Sequence, residues 1–254
     1  MSKRKKSILL TNDDGYQSHA LIALRNSMED LYDVTVVAPD RERSAISMAI
    51  TLNQPLRVKQ VEEKTFAVSG TPSDCVNIAM QEIMEERPDF ILSGMNFGEN
   101  ISFDVLYSGT VGAAFSGHMY GVPSMAVSMI PDRTRTDEDI YDVAKGVEVT
   151  LRVLESIIHN CSNHIVYNLN IPYLNNGEIV VTTLGRKRYR PDVERRTDPR
   201  GRDYFWLGTG HPIYDMDEGT DVWAVLNGYI SLSAIRYDLN CDVELEKLEN
   251  LLGM

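Results

Sequence analysis

Short apolar runs separated by polar turns organise the first two-thirds of the chain. Residues 7–11, 34–38 and 90–92 are runs of strand length, and each predicts a strand buried in a parallel sheet. The first run is followed by apolar residues at helical spacing, so we expect a β-loop-α unit at the start of the chain. The residues of this helical pattern are Leu21, Leu24, Met28 and Leu31.

Capping residues mark where later helices begin. Thr71-Pro72-Ser73-Asp74 places a hydroxyl at the N-cap, proline at N1 and a carboxylate at N3, which predicts a helix from Pro72 onwards. Thr71 is then either a simple cap or a contact for substrate. We also predict helices over about 110–120 and 136–159, a strand over 124–129, and extended segments over 51–58 and 65–68.

The pattern becomes strand-like after residue 165. The alternation of strands and helices before it predicts an α/β fold: a three-layer, doubly wound, mostly parallel sheet with a C-terminal β-rich extension. We expect one domain over residues 1–254, with a Rossmann-like core over 1–160, a completing segment over 161–254 and an arm over about 185–220. The expected elements of the completing segment are strands over 164–171 and 178–183, ordered stretches over 221–224 and 229–235, and a short helix over about 242–252.

Composition narrows the class of protein. With 254 residues, 43% hydrophobic and 24% charged, the chain can bury a full core without disulfides or structural metals. The net charge of −12 disfavours nucleic acid as the main partner. Three scattered cysteines suggest a reducing compartment, and no apolar run reaches the length of a membrane span. Because the basic residues before Ile8 also lack a following signal-peptide core, we expect a cytoplasmic protein.

Three polar loops are expected at one edge of the sheet. Residues 12–15, 40–44 and 96–100 each follow a predicted parallel strand. Open α/β sheets bind ligands outside the carboxyl ends of their strands, so these loops should converge on one crevice.

The first of these loops contains two adjacent carboxylates, Asp13 and Asp14. Adjacent carboxylates repel each other unless a cation or a proton lies between them, which suggests a metal site. The alternative is a helix cap followed by a turn. Ser44 and Asn96 are candidate co-ligands, and an all-oxygen set favours Mg²⁺, Mn²⁺ or Ca²⁺.

A second candidate site lies at the start of the helix near residue 110. Ser108, Gly109 and Thr110 precede or begin that helix, and a helix N-terminus with hydroxyl side chains can bind an anion. Helix capping explains Ser108 and Thr110 equally well. Neither GxxxxGK[ST] nor GxGxxG is present at the required place. A hard divalent cation together with an anion-binding site is the combination that a phosphatase or nucleotidase needs.

The histidines show no metal-binding spacing, although His19 lies near the carboxylate loop and is a candidate contact for substrate. The five are His19, His118, His159, His164 and His211. A separate feature is the basic stretch 186–202, whose excess of cations is expected either to pair with acidic groups of another subunit or to recruit phosphate. It contains eight basic residues (Arg186, Lys187, Arg188, Arg190, Arg195, Arg196, Arg200, Arg202) and three acidic ones (Asp192, Glu194, Asp198).

A series of motifs runs through nearly the whole chain in a specific order. They are Ile8-Leu-Leu-Thr-Asn-Asp-Asp-Gly15, Val37-Ala-Pro-Asp-Arg41 with Arg43-Ser44, Gly70-Thr-Pro-Ser-Asp-Cys75, Ser93-Gly-Met-Asn96 with Gly98 and Asn100, Asp104-Val-Leu-Tyr-Ser-Gly-Thr-Val111, Leu184-Gly185-Arg186, Asp198-Pro-Arg-Gly-Arg202, and Gly219-Thr-Asp221 with Gly228-Tyr229. Together they resemble the SurE family, the stationary-phase survival proteins that act as 5′/3′-nucleotidases.

The resemblance implies a metal-dependent phosphomonoesterase that acts on nucleoside monophosphates, with one divalent cation per subunit. It implies that the arm forms dimers or tetramers by exchange of C-terminal elements. By this resemblance the metal ligands are Asp13, Asp14, Ser44 and Asn96, the catalytic groups are Asp13 and Asp14, and the phosphate ligands are Asn12, Asn100, Ser108, Gly109 and Thr110.

The chain departs from the family pattern at three places. Residues 17–20 replace a small, glycine-containing continuation, while Ala45 and Ser102 stand where glycine is usual. These departures concern substrate preference rather than the class of reaction. Two other functions stay open: a phosphate- or nucleotide-binding module without turnover, and an assembly protein whose importance lies in the basic arm.

Overall fold

Apolar runs of the chain form the strands of a central mixed sheet. The structure, a computed structural model, describes residues 4–132, 134, 140–189, 192–208, 212–238, 247 and 250–252. Within these residues the strands are β1 (Ser7–Thr11), β2 (Asp33–Pro39), β3 (Val58–Glu62), β4 (Thr65–Val68), β5 (Phe90–Phe97), β6 (Ser124–Ile130), β7 (Val166–Pro172), β8 (Ile179–Thr182), β9 (Lys187–Tyr189), β10 (Asp192–Thr197), β11 (Asp203–Gly208), β12 (Pro212–Tyr214) and β13 (Ile230–Ile235).

Helices cover both faces of this sheet. They are α1 (His19–Met28), α2 (Pro72–Ile78) with a π-helical continuation (Ala79–Ile83), α3 (Asp104–Tyr107), α4 (Gly109–Met119), α5 (Val143–Ile157) and α6 (Asp221–Leu226). Helices α1 and α5 pack together on one face, and α2 packs against α4 on the other. No helix of the described residues has the length and apolarity needed to cross a bilayer.

The sheet is doubly wound and mostly parallel, as the alternation of elements predicts. Among the described residues it has nine strands in the order β3-β4-β2-β1-β5-β6-β7-β13-β8. Only β3 against β4 and β13 against β7 are antiparallel. The chain builds outward from β1 through β2 and β4, and then crosses to β5 on the other side of β1. The point where this direction reverses therefore lies between β1 and β5.

Burial on both faces explains why the central strands are continuous apolar runs. In β1, Ile8 and Leu10 pack into the core beneath α1 and α5, whereas Leu9 packs into the core beneath α2 and α4. All three are fully buried. Successive side chains of a strand point to opposite faces, so a strand between two helical layers needs apolar residues at every position.

The predicted capping of α2 is confirmed. Thr71 Oγ1 accepts a hydrogen bond from Asp74 N (3.1 Å), and Asp74 Oδ2 accepts one from Thr71 N (2.9 Å). Asp74 also accepts hydrogen bonds from the backbone and hydroxyl of Thr51. This reciprocal arrangement fixes the start of α2 and anchors the preceding loop.

The predicted start of the helix over 136–159 is wrong. Asp142 Oδ1 accepts a hydrogen bond from Lys145 N (2.9 Å) and caps α5, which therefore begins at Val143. Ile140 continues the apolar period but precedes the cap. Residues 136–139 lie outside the described residues.

Other boundaries differ in detail. Only Val58 of the expected extended segment 51–58 enters a strand, and Leu31 lies beyond the end of α1 with half of its surface exposed. The predicted strands over 7–11, 34–38, 90–92, 124–129, 164–171 and 178–183 and the helix over 110–120 are confirmed within a few residues. Arg190, His211, Cys241 and most of the predicted helix over 242–252 lie outside the described residues.

Part of the C-terminal extension lies outside the central sheet and forms two small antiparallel pairs of strands. Strand β9 pairs with β12, and β10 pairs with β11. Every residue of β10 and β11 is exposed, including four large apolar residues. These are Val193, Phe205, Trp206 and Leu207, which are 52%, 59%, 59% and 84% exposed.

Candidate active site

The reversal point of the sheet brings the carboxylate loop and the end of β5 together. Strands β1 and β5 are parallel neighbours, with Thr11 opposite Ser93. The loop after β1 carries Asp13 and Asp14, and β5 extends far enough to carry Asn96. The loops after two strands that flank a reversal point separate and leave a crevice between them, which is where such sheets bind ligands.

A hydrogen-bonded turn shapes the carboxylate loop. Asn12 Nδ2 donates to Gly15 O (3.0 Å), and Asn12 Oδ1 accepts from Gly15 N (3.2 Å). Gly15 has a φ of +97°, and a Cβ at this position would lie 3.3 Å from Pro39 O. The turn also packs against the loop after β2, because Tyr16 N donates to Pro39 O (2.9 Å). The side chain of Asn12 therefore holds this loop, and its role in binding phosphate stays a prediction.

The carboxylate of Asp13 lies against the N-terminus of α4. It accepts a hydrogen bond from Thr110 Oγ1 (2.5 Å) and another from Thr110 N (3.2 Å). Gly109 permits this approach, since a Cβ there would lie 3.0 Å from Asp13 Oδ2. Burial raises the pKa of Asp13, although the hydrogen bonds from Thr110 act in the opposite direction.

The carboxylate of Asp14 is partly buried, and it accepts fewer hydrogen bonds than that of Asp13 to offset the loss of water. Its Oδ2 atom is inaccessible to solvent and has no hydrogen-bond partner among the described residues. Burial raises the pKa of Asp14 to about 7, and the negative charges of Asp13 and Glu42 add to this effect. The backbone N–H of Phe97 lowers it in part. An unpartnered carboxylate oxygen beside a second carboxylate is the environment that a cation would stabilise.

The loop after β2 is tied to the carboxylate loop at the residue before Ser44. Arg43 N donates to Asp13 O (2.7 Å), which ties this loop to the one after β1. Ser44 Oγ donates to Glu42 Oε1 (2.8 Å). The hydroxyl proton is thus engaged by Glu42, and the oxygen lone pairs stay available to a cation.

Asn96 presents an oxygen in a similar way. Its Nδ2 donates to Gly98 O (2.9 Å), so the amide nitrogen is engaged and Oδ1 is left as an acceptor. Within the described ranges, no three His, Cys, Asp or Glu side chains lie close enough together to hold a metal. A cation at this edge would therefore need the neutral oxygens of Ser44 and Asn96 in addition to the two carboxylates.

Some groups of the expected anion site are used in hydrogen bonds within the protein, and others are not. Ser108 Oγ accepts from Val111 N (3.0 Å) and caps α4, while Thr110 binds Asp13. Helix α4 has eleven residues and supplies a positive end at its first turn. The hydroxyl proton of Ser108 and the N–H of Gly109 are the donors at this end that these two hydrogen bonds do not use.

Asn100 lies in a buried amide network beneath the site. Its Nδ2 donates to Ser128 Oγ (2.7 Å), and its backbone carbonyl accepts from Asn168 Nδ2 (2.8 Å) and Asn170 Nδ2 (3.1 Å). Asn100 is 5% exposed. In this structure the side chain fixes the loop after β5, and its role as a phosphate ligand stays a prediction.

A buried ion cluster, missed in the sequence, joins the extension to this same loop. Lys187 Nζ of β9 donates to Asp104 Oδ2 (2.7 Å) and Glu99 Oε1 (3.0 Å), and Tyr189 Oη donates to Asp104 Oδ1 (2.7 Å). The side chain of Lys187 is 3% exposed. Burial acts to lower the pKa of Lys187, but Asp104, Tyr189 and Glu99 together raise it above its ordinary value. The sequence offers one sign of this cluster, which is that Lys187 belongs to the basic stretch 186–202. Because charged residues in such stretches are usually solvated, this sign does not predict a buried lysine.

Glu42 is the second residue that sequence reasoning missed. It follows β2 in a loop that was expected near the site, yet nothing in its position indicates that it accepts a hydrogen bond from Ser44. Its charge also raises the pKa of Asp14. This effect on Asp14 depends on how the loops after β1 and β2 fold together.

The fold and the site define an α/β protein whose doubly wound sheet carries two adjacent carboxylates, Asp13 and Asp14, at the carboxyl end of its first strand. A family model described as Survival protein SurE matches residues 8–191. The chain belongs to the SurE family.

Full-length relatives support this assignment. A protein named 5′-nucleotidase SurE from Caldanaerobacter subterraneus subsp. tengcongensis is 41% identical, with 97% of each chain covered. Another protein of that name, from Vibrio campbellii, is 39% identical, with 96% of this chain and 94% of the relative covered. A crystal structure of SurE protein from Aquifex aeolicus superposes with a TM-score of 0.82 at 33% identity, covering 96% of this chain and 99% of that one.

The buried lysine yields a stability prediction. Lys187→Met leaves Glu99 and Asp104 without their cation, and breaking a buried ion pair in this way costs about 3–5 kcal/mol of unfolding free energy. Lys145→Met is the matched control, because Lys145 pairs with Glu148 at an exposed surface and its loss is expected to cost about 0.5 kcal/mol or less. Urea denaturation of both variants measures the difference, and equal losses would contradict the role assigned to Lys187.

The raised pKa of Asp14 yields a prediction about pH. The unfolded Asp14 loses its proton near pH 4, whereas the folded group keeps it up to about pH 7, so this residue makes the metal-free protein less stable as pH rises through that interval. Asp14→Asn removes the dependence, and its unfolding free energy should exceed that of the wild type by roughly 1–3 kcal/mol at pH 7.5 but not at pH 4.

This pH dependence is measured by urea denaturation in EDTA at both pH values. Asp30→Asn, at an exposed position after α1, is the control and should leave the difference between the two pH values unchanged. A wild type and an Asp14→Asn variant with parallel pH profiles would exclude the desolvated state of Asp14.

Proposed function

We propose that this chain is a divalent-metal-dependent phosphomonoesterase that hydrolyses nucleoside 5′- and 3′-monophosphates to nucleoside and phosphate. The observation that carries the proposal is the buried Oδ2 atom of Asp14, which has no hydrogen-bond partner in the part of the chain that the structure describes and follows the carboxylate of Asp13. Relatives that bear the name 5′-nucleotidase SurE over nearly the full length support the class of substrate. The acidic net charge of −12 favours small phosphate esters over long nucleic acids.

The ligands proposed for the cation are Asp13, Asp14, Ser44 and Asn96. Their donor atoms are all oxygens, which suits Mg²⁺ or Mn²⁺ and also Ca²⁺. When bound, a divalent cation neutralises charge on the phosphoryl oxygens and lowers the pKa of a bound water.

The chain's own groups would bind and orient the phosphate. The N-terminal end of α4 provides the N–H of Gly109 and the hydroxyl of Ser108 beside Asp13, and the positive end of the helix favours an anion. Asn12 and Asn100 complete the proposed phosphate site from the two neighbouring loops. Because phosphoryl transfer passes through a loose transition state, positioning and charge neutralisation supply most of the rate enhancement.

The proton of the attacking water needs an acceptor at this edge of the sheet. We propose a carboxylate of the acidic pair for this role, either Asp13 or Asp14. Thr110 holds the Asp13 carboxylate in one orientation, so a water that approaches the pair meets fixed rather than mobile oxygens.

Phosphate release from nucleoside monophosphates tests the proposed function. With Mg²⁺ or Mn²⁺ the wild type should release phosphate, and EDTA should abolish the release. Asp13→Asn and Asp14→Asn should each lower kcat by at least about 100-fold, because each removes charge stabilisation at the reacting group. Asn96→Ala should raise the metal concentration needed for half-maximal activity.

Asp30→Asn serves as the matched control for these substitutions and should keep full activity. Circular dichroism of each variant establishes that it is folded. Folded wild-type protein that binds a nucleotide one-for-one and releases no phosphate with any metal would replace this proposal with a binding module.

We further propose that the hairpin β10–β11 mediates assembly into a dimer or tetramer. Its apolar side chains are exposed on a two-stranded unit, and a hairpin of this size is only marginally stable by itself in water. Most of its basic residues already have acidic partners within the extension: Arg195 pairs with Asp203, Arg196 with Glu194 and Arg202 with Asp198. The apolar surface, rather than the positive charge, is therefore the feature that needs a partner.

Light scattering coupled to size exclusion tests this assembly. The wild type should elute at two or four times the mass of one chain, and the double substitution Trp206→Asp with Leu207→Asp should shift it toward the monomer, because charges at these positions cannot be buried in an interface. Leu31→Asp, at another exposed apolar position, should leave the mass unchanged. A wild type that elutes as a monomer at micromolar concentration would refute the proposal.

A further inference from the structure

An aromatic pocket opens beside the carboxylate loop. Its volume is about 510 Å³, and its described walls include His19, Phe97, Tyr141 and Tyr173, together with Asp142. The rings are already arranged in a row: the centroids of His19 and Phe97 lie 4.7 Å apart, and those of Phe97 and Tyr141 lie 4.9 Å apart, edge to face. Neither the cation ligands nor the phosphate ligands proposed above include these side chains.

The pocket is joined to the acidic pair at two points of the chain. His19 begins α1, directly after the turn that carries Asp13 and Asp14. Phe97 follows Asn96 in β5, and its backbone N–H acts on the carboxylate of Asp14. The aromatic row therefore adjoins the acidic pair through the backbone of Phe97.

The two sites lie on opposite faces of the sheet edge. Phe97 packs against the core beneath α1 and α5, whereas Asp13 contacts the N-terminus of α4 on the other side. Neighbouring side chains of a strand point to opposite faces, so Asn96 and Phe97 separate the two environments. A molecule that crosses the edge of the sheet would have one end at polar donors and carboxylates and the other end among aromatic rings.

We propose that this pocket binds the nucleobase of the substrate, with His19, Phe97 and Tyr141 as the stacking surface. The inference rests on the proposed nucleotidase function and adds a specificity site to it. Stacking on aromatic side chains is favourable for every base, because each base has a π-face. The pocket therefore selects for the presence of a base on the phosphate ester, with little discrimination among bases.

Comparison of two substrates measures what the pocket contributes to kcat/KM. Adenosine 5′-monophosphate and ribose 5-phosphate present the same phosphate on the same sugar, and only the first carries a base. His19→Ala and Tyr141→Ala should each lower the ratio of kcat/KM for adenosine 5′-monophosphate to kcat/KM for ribose 5-phosphate by about fivefold or more, since stacking on an aromatic side chain contributes at least that factor. Both side chains are partly or largely exposed, so their removal should not unfold the protein.

Two substitutions of the same residue types serve as controls. His159→Ala and Tyr237→Ala remove an exposed histidine and an exposed tyrosine that do not line this pocket, and they should leave the ratio unchanged. Phe97→Leu keeps apolar volume against the core while removing the ring, and it should lower the ratio as the other pocket variants do.

A binding measurement separates failure of this inference from failure of the proposed function. Saturation-transfer NMR in EDTA should detect contact between the wild type and the base protons of adenosine, and Tyr141→Ala should weaken that signal, whether or not the protein turns over any ester. Phosphate release with an unchanged ratio in all three pocket variants would overturn the pocket assignment and leave the nucleotidase standing. Absence of adenosine contact in the wild type would overturn it as well, whereas absence of phosphate release from any ester would refute the proposed function instead.

Discussion

The contact between the Asp13 carboxylate and the first turn of α4 is the constraint on which the rest of the site depends. A buried carboxylate is costly unless hydrogen bonds compensate for the water it has lost, and Thr110 supplies two of them. This requirement brings the end of β1 to the start of α4 and leaves no room for a side chain at Gly109. Because Asp13 O also accepts the N–H of Arg43, the loop after β2 is drawn to the same point. Asp13 thus contacts both the start of α4 and the loop after β2, which carry proposed phosphate and metal ligands.

Local patterns predict this fold well wherever the determining interaction is local. The apolar run of β1 and the capping box of α2 need only their own residues, and both are confirmed. The start of α5 was misplaced because Ile140 keeps the helical period although the cap lies at Asp142. Position along strands also places the acidic pair and Asn96 at one edge, since the parallel order of a doubly wound sheet leaves few alternatives. Contacts such as Arg43 N with Asp13 O, or Lys187 with Glu99, join separate loops or distant segments and have no local signal.

Two departures from the family pattern have a conformational meaning that the sequence alone did not show. Ala45 and Ser102 replace the usual glycines, and both have a φ of +54°. The backbone at these positions is left-handed, which explains why glycine is the common choice. Ser102 is held by further contacts, because its N–H donates to Asp221 and its Oγ accepts from Lys187 N. At both positions the backbone is therefore left-handed although the side chain disfavours that conformation.

The order of the strands also determines when the sheet can be completed. Strand β8 has its place beside β13, at the far edge of the sheet, and β13 lies between β8 and β7. During synthesis β8 emerges before β13 and has no partner strand in the sheet until residues 230–235 follow it, whereas the pairs β9–β12 and β10–β11 need only residues of the extension. The apolar hairpin β10–β11 is thus exposed to its surroundings before its own domain is closed. Under the assembly proposed above, two chains made side by side would meet through this hairpin before β13 of either chain is in place, so assembly and folding would overlap in time.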